Sequence, residues 1–302
     1  MEEWSRVLER AVEATRTGVL ITDPNRPDNP IVYANPAFER ITGYSAEEVI
    51  GRNCRFLQRD DRDQPALEEV RSAIRERRDC RVSVRNYRKD GTLFWQELSI
   101  SPVRDDRGRT THFVGIQEDV TERKLAEERL AHRALHDSLT DLPNRVLLMD
   151  RLREANARVR PGKGTIIAVL FLDLDDFKDI NESLGHQVGD WVLASAADRV
   201  EGCLREEDTV ARLGGDEFIV LLDGVGGAED AIETAEKILG ALREPFALGE
   251  EERSLTASIG IALGDLASGD AGPQDLLRLA EAAMYRSKGN GKDSYAVHGS
   301  GS

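Results

Sequence analysis

The stretch Gly214-Gly215-Asp216-Glu217-Phe218 constrains this chain most, because it breaks two apolar runs, 209–213 and 218–222, with a turn. Short apolar runs bounded by breakers read as strands, so the segment predicts a β-hairpin. Its glycines permit positive φ and let the backbone approach a ligand with no Cβ in the way. Two carboxylates follow at the rim. Acids in a tight turn are ordinarily solvated loop residues. Here a second acidic group, Asp173, Asp175 and Asp176, ends another apolar run, 166–172, about forty residues upstream. That run has the length and composition of a strand buried on both faces.

At 302 residues the chain can hold about two domains, each with its own core. No apolar run approaches the ~20 residues of a membrane-spanning helix. Glu2, Glu3 and Arg6 stand where a signal peptide would need apolar residues, so the sequence predicts a cytoplasmic protein without membrane association. A net charge of -15 offers no basic surface to nucleic acid or anionic lipid, and a polyphosphate would need cations to approach. Cys54, Cys80 and Cys203 lack metal-binding spacing and read as free thiols.

Trp4, Val7, Leu8 and Ala11 recur at helical spacing and predict an amphipathic helix within residues 1–14. Strands are expected at 18–22 and 31–33 around the turn 23–30, then a helical turn at 36–42 and a capping box from Ser45 and Glu48. A helix at 64–78 carries Leu67, Val70 and Ile74 on one face, and strands follow at 81–88, 92–104 and 110–119. Residues 15–120 therefore predict an α+β unit with a five-stranded antiparallel sheet and helices on one face.

Inside this unit lies Gly51-Arg52-Asn53-Cys54-Arg55-Phe56-Leu57-Gln58. A lone cysteine is most often a small buried hydrophobe. The octapeptide is followed in order by Arg71, Asn86, Phe94-Trp95 and Gln117. Together these residues resemble LOV domains, the flavin-binding branch of PAS folds, over about residues 15–122. The resemblance implies a noncovalent FMN and a Cys54 sulfur that adds to the flavin C4a carbon after blue-light excitation. It implies that Arg55 and Arg71 hold the phosphate through their guanidinium forks. Asn53, Gln58, Asn86 and Gln96 would meet the polar edge or ribityl chain. Gln117 would face N5 and rotate its amide when N5 changes from acceptor to donor. The family usually has Asn where this chain has Gln96, so the extra methylene bears on site geometry and photocycle lifetime.

Residues 121–136 contain no Gly or Pro and set Leu125, Ala126, Leu130, Ala134 and Leu135 among charges. The pattern suits a signalling helix, as a short coiled coil or as a solvated linker. The chain resumes at Asp137-Ser138-Leu139-Thr140-Asp141-Leu142-Pro143-Asn144-Arg145. A helix is expected at 145–158, a turn at 161–164, the buried strand at 166–172 and a helix reaching about residue 205. After the hairpin come an amphipathic helix through Ile232, Ala235, Ile238 and Leu242, a second apolar hairpin over 246–263, a helix at 273–287 and a strand at 294–297. Residues 298–302 read as a tail. Over 137–297 these motifs resemble GGDEF domains, the diguanylate cyclases, which implies a nucleotidyl-cyclase-like α/β fold with a central sheet flanked by helices.

Members of that family join two GTP into cyclic di-GMP, one GTP on each subunit of a homodimer, with Mg2+. By this resemblance Asp173, the Leu174 carbonyl and Asp216 hold the metal, a hard ion suited to oxygen ligands. Glu217 completes the metal site or takes the hydroxyl proton, and both roles remain open. Gly214 and Gly215 bring backbone to the substrate. Backbone amides at Phe177 and Lys178, and the ammonium groups of Lys288 and Lys292, would meet phosphate. Asn181 and Asp190 would read guanine, whose N1–H and N2–H2 a carboxylate accepts and which adenine lacks on that edge. Arg205 and Asp208 resemble the family's product-inhibition pair, although 204–208 also suits a solvated helix end. The combined expectation is a blue-light-regulated diguanylate cyclase. The alternatives are a nonenzymatic receptor for GTP or cyclic di-GMP, and a cyclase whose PAS unit is a redox or structural module.

Overall fold

The computed structural model describes residues 2–158, 166–248, 251–264 and 272–299. The chain divides into two compact units, Met1–Arg129 and Leu130–Ser302. In the first, α1 (Glu2–Ala14) precedes β1 (Gly18–Thr22) and β2 (Ile31–Ala34), then α2 (Pro36–Thr42), α3 (Ala46–Val49), a 3-10 turn (Cys54–Gln58) and α4 (Pro65–Glu76). β3 (Cys80–Tyr87), β4 (Leu93–Arg104) and β5 (Thr110–Asp119) complete a sheet of order β2-β1-β5-β4-β3, antiparallel throughout. Asn35 shows how sequence fixes this geometry locally. Its Oδ1 caps α2 by accepting from the Phe38 N–H at 3.0 Å, and it also accepts from the Val19 N–H at 2.8 Å. Its amide donates to the Val12 and Thr17 carbonyls, so one buried side chain ties α1, β1 and α2 together. Leu20, Ile31, Phe38, Val49 and Leu57 form the core beside it.

α5 (Thr121–Leu135) is 15 residues long and buries no side chain. Its start is held by the sensor sheet. The Trp95 N–H donates to Thr121 Oγ1 at 2.9 Å, and the Thr121 N–H and hydroxyl both donate to Asp119 Oδ1.

The second unit runs α6 (Arg145–Arg158), β6 (Ile166–Leu174), α7 (Phe177–Leu184), α8 (His186–Glu201), β7 (Thr209–Gly214), β8 (Glu217–Val225) and α9 (Ala228–Arg243). Then come β9 (Phe246–Leu248), β10 (Glu251–Arg253), β11 (Ala257–Gly264), α10 (Pro273–Gly289) and β12 (Ser294–Val297). The main sheet has the order β12-β11-β6-β8-β7, parallel at β11–β12 and antiparallel elsewhere. β6 lies at its centre. Ala168, Leu170, Leu172 and Leu174 join the core with α8 and α9, whereas Ile167, Val169 and Phe171 join a second core with α6 and α10. Two buried faces explain why this strand is apolar without alternation. On neighbouring β11 a Cβ at Gly260 would stand 2.0 Å from the Ala280 carbonyl oxygen, so glycine is what lets α10 lie directly on the sheet.

Two expectations need correction. Residues 246–263 are not one hairpin: β9 and β10 form a separate two-stranded ribbon, and β11 enters the main sheet between β12 and β6. Apolar pattern marks a strand but not its partner. The helix expected to reach about residue 205 ends at Glu201, and a separate helix, α7, precedes it across Gly185, at φ 85° and ψ 159°. The expected turn at 161–164 and residues 300–302 of the tail lie outside the described residues.

Candidate functional site

Between the sheet of the first unit and its helices lies a cavity of about 580 Å3. Cys54 reaches it from the 3-10 turn, which Asn53 caps by accepting from the Arg55 N–H at 3.0 Å. Asn53, Arg55, Gln58, Arg71, Asn86 and Gln117 line the same space, among apolar residues such as Leu57, Leu67 and Phe113. Burial pushes the Cys54 thiol up to about 12, so it is protonated at neutral pH. Arg55 is paired with Asp28, and Arg71 with Glu68 at 3.1 Å, both at exposed positions. Gln96 is not among the lining residues. It is buried and accepts from Asn86 Nδ2 at 2.7 Å, so it orients an amide that does line the cavity. Arg26, Asn29 and Arg62 also reach the cavity. The sequence pattern did not single them out, because two lie in a stretch that reads only as a turn.

The residues fit a flavin. Asn86 Oδ1, Gln117 Oε1 and Asn29 Oδ1 are buried acceptors with no hydrogen-bond partner. Each orphaned acceptor costs about 1–3 kcal/mol unless a ligand donor meets it. A planar heterocycle with polar edges would satisfy them, and the arginines suit a phosphate.

In the second unit three carboxylates gather at the end of the main sheet. β6 ends in Asp173 and Leu174, and the β7–β8 turn supplies Asp216 and Glu217, with Glu217 directly opposite Asp173 in the β6–β8 register. Gly214 and Gly215 take φ 141° and 55°, values that explain the paired glycines. The Leu174 N–H donates to the Asp216 carbonyl at 3.3 Å. Burial first, then the neighbouring Asp216, raises the proton affinity of Asp173 against the opposing pull of Lys288. Burial, Asp173 and Asp216 likewise raise that of Glu217. Among the described residues no three His, Cys, Asp or Glu side chains converge as a formed metal site. Instead, Lys288 Nζ stands 2.7 Å from Asp173 Oδ1, as an ion pair rather than an aligned hydrogen bond, since that buried oxygen accepts none. Crowded carboxylates, one of them met on its buried oxygen only by an ammonium ion, fit a hard divalent cation.

The remaining residues sort by position. Asp175, two residues past Asp173, is structural: it accepts from Thr256 Oγ1 and Ser258 Oγ, each at 2.7 Å, and from the Asp293 N–H at 3.1 Å. Lys292 pairs with Asp176 at 2.5 Å, and exposed Lys178 with Glu182 at 3.4 Å. Asn181 lies against Gly189, where a Cβ would stand 2.0 Å from Asn181 Oδ1 and 3.2 Å from Phe177 Cζ. Asp190 is exposed on α8 beside that contact. Arg205 and Asp208 lie in a separate cavity.

One contributor escaped sequence reasoning. Arg212 is buried and donates to the Gly215 carbonyl through Nε at 3.1 Å and Nη2 at 2.7 Å, while Nη1 donates to Asp137 at 2.7 Å. Burial works against the Asp137 carboxylate, but Arg212 and Thr140 outweigh it and hold Asp137 below the usual carboxylate value. An arginine inside an apolar strand was the available signal.

Residues 134–294 match the family model "Diguanylate cyclase, GGDEF domain", and residues 16–122 match a PAS domain model. The chain belongs to the GGDEF family. It is similar to a blue-light photoreceptor of Listeria monocytogenes, 37% identical over 207 residues, which are 68% of this chain and 77% of that protein. It is also similar to the bifunctional diguanylate cyclase/cyclic di-GMP phosphodiesterase MucR of Pseudomonas aeruginosa, 43% identical over 172 residues, 56% of this chain but 24% of that protein. The chain thus spans about a quarter of MucR. Among solved structures, the coiled coil and GGDEF domain of DgcB from Caulobacter crescentus in complex with c-di-GMP aligns with TM-score 0.53 and 27% identity, covering 59% of this chain and 93% of that one. The architecture is a LOV-like PAS unit followed by a GGDEF domain.

Proposed function

We propose that the chain is a blue-light-regulated diguanylate cyclase that condenses two GTP into cyclic di-GMP and two pyrophosphates across a homodimer. The observation that carries this reading is the acid edge, Asp173 in register with Glu217 and adjoined by Asp216, with Lys288 beside it. The GGDEF family match and the likeness to DgcB in complex with c-di-GMP support it. Mg2+, held by Asp173, Asp216 and the Leu174 carbonyl with Glu217 at the same edge, would supply positive charge against the triphosphate. Lys288 and Lys292 meet phosphate oxygens alongside the backbone at Phe177 and Lys178. Asp190 accepts from the guanine edge, and Asn181, fixed by its seat on Gly189, orients the base.

The first unit regulates this chemistry. Bound FMN would supply blue-light absorption and a carbon open to the Cys54 thiol. Cys54 presents that thiol in protonated form, Arg55 and Arg71 hold the phosphate, and Asn53, Gln58 and Asn86 hold the polar edge and ribityl chain. Gln117, an amide with an unmet acceptor, turns in answer to the flavin. Two residues further on, Asp119 fixes the first residue of α5. The rotation therefore begins beside the contacts that anchor the helix leading to the second unit. Likeness to the Listeria photoreceptor supports the light-sensing role. No helix among the described residues is long and apolar enough to cross a membrane, and we place the reaction in the cytoplasm, where GTP is available.

The test is cyclic di-GMP formation from GTP and Mg2+ by the purified chain, in darkness and under blue light. A rate that changes with light supports both roles and their coupling. Equal nonzero rates would reduce the reading to a cyclase whose sensor answers to something else. No product under either condition, with GTP still bound, would replace the enzyme by a receptor.

A further inference from the structure

α10 ends at Gly289 and β12 begins at Ser294, and the connection Asn290–Asp293 joins them. Three residues in succession there take positive φ: Gly291 at 114°, Lys292 at 66° and Asp293 at 46°. Glycine does this freely and aspartate tolerates it. In a lysine the Cβ crowds the following carbonyl, and the conformation persists only where neighbours over-determine it.

Those neighbours are in place. Arg243, in the last turn of α9, grips Asp293 at side chain and main chain together: Nε donates to Oδ1 at 2.8 Å and to Oδ2 at 3.0 Å, and Nη2 donates to the carbonyl at 3.2 Å. The Asp293 N–H donates to Asp175 Oδ2 at 3.1 Å, and the Lys292 N–H to the Ser287 carbonyl at 3.3 Å. Arg243 itself springs from a fixed base, because Arg199 of α8 donates to the carbonyls of Ala241, Glu244 and Pro245 on either side of it.

What the turn aims is the Lys292 ammonium. It stands 2.5 Å from Asp176 Oδ1, at the start of α7, whose first amides, at Phe177 and Lys178, meet phosphate in the cyclase reading. Lys288, beside Asp173, still belongs to α10 and takes its direction from the helix. Lys292 takes its direction from the turn. Relaxation to negative φ would carry its Cβ to another side of the chain and turn the ammonium away from α7. Arg243 and Asp293 are both partly exposed, so their pairing adds little to global stability and acts mainly on direction. We infer that Arg243 is a positioning residue for the triphosphate: through Asp293 it holds Lys292 in the left-handed turn that presents the ammonium to phosphate, without touching the nucleotide itself.

Since the inference rests on the cyclase reading of Lys292 as a phosphate contact, the experiment measures binding apart from turnover. An α,β-methylene analogue of GTP, which cannot be cyclised, is titrated calorimetrically with Mg2+ into the full chain in darkness. Arg243→Ala is expected to weaken its binding about 10-fold, the scale of one charge-assisted hydrogen bond. Lys292→Ala is expected to show a similar loss. Combining the two is expected to cost nothing beyond Lys292→Ala alone, because a residue that acts only through Lys292 then has nothing left to place. Rescue separates direction from general damage to the fold. Asp293→Gly added to Arg243→Ala is expected to restore most of the affinity, since glycine accepts the left-handed turn without a clamp. Arg243→Lys is expected to behave like Arg243→Ala, as an ammonium lacks the fork. Unchanged affinity in Arg243→Ala, a full further loss in the Lys292→Ala background, or no rescue by Asp293→Gly would overturn the inference, as would absence of analogue binding by the wild type. Failure of the cyclase reading is visible separately, as no cyclic di-GMP from GTP in a chain that still binds the analogue.

Discussion

The cavity of the first unit is lined by neutral amides, a protonated thiol and arginines, whereas the sheet end of the second unit crowds three carboxylates and sets Lys288 beside them. In the cavity the strain is of unmet hydrogen bonds: Asn86, Gln117 and Asn29 each keep a buried oxygen without a donor. At the sheet end it is of unmet charge, seen in the raised proton affinities of Asp173 and Glu217. The first kind of site is completed by a ligand whose shape and polar edges match, and the second by a cation. Substitutions should therefore separate the two cleanly.

The largest effect is expected at the charged site. Asp216→Asn should lower cyclic di-GMP formation on the order of 100-fold to 1000-fold, as loss of one group that stabilises developing charge does elsewhere. The flavin spectrum of the same variant should be unchanged, and a spectral change would break the separation.

Next is Cys54→Ala, which should abolish the light-to-dark ratio of turnover while leaving bound flavin and dark activity in place, as steady-state assays in both conditions would show. Cys54 also carries a pH signature. Its folded value, about 12, lies above the ordinary 9.0, so the fold favours the neutral thiol. That contribution to stability is present below about pH 9 and is lost as pH rises through about 12. Urea midpoints of the flavin-free protein should accordingly fall less steeply in Cys54→Ala than in wild type across that window.

Smaller again is Gly189→Ala. The added methyl must displace Asn181, and KM for GTP should rise about 10-fold, equivalent to about 1.4 kcal/mol, with light control retained. Smallest is Gln96→Asn, which shortens the partner of Asn86 by one methylene. Loss of one hydrogen bond is worth about 1 kcal/mol, so the dark-recovery lifetime after a flash should change severalfold, with no change in cyclase rate in darkness.

Much of this was legible from the chain. Short runs bounded by turn residues gave the five-stranded sheet, and an apolar run ending in acids gave β6 and Asp173. What stayed hidden depended on distant partners. The 257–264 segment is as apolar as a hairpin strand, and only the sheet shows that it pairs with β6 and β12 rather than with 246–253. Asp175 looked as available as Asp173 until Thr256 and Ser258 were seen to occupy it. Gln96 read only as an amide in the pattern, and the structure alone shows that its carboxamide oxygen accepts from Asn86, which lines the cavity.

Arg212 has a consequence for recombination. Because one side chain grips both Asp137 and the carbonyl of Gly215, the segment after α5 and the tip of the acidic turn are a single module. A chimera that grafts a foreign sensor onto this output should join upstream of Asp137, keeping Asp137 and Arg212 in one inherited block. A junction placed after Asp137 would leave a buried guanidinium without its carboxylate, and the hybrid's fault would surface at the turn, far from the seam.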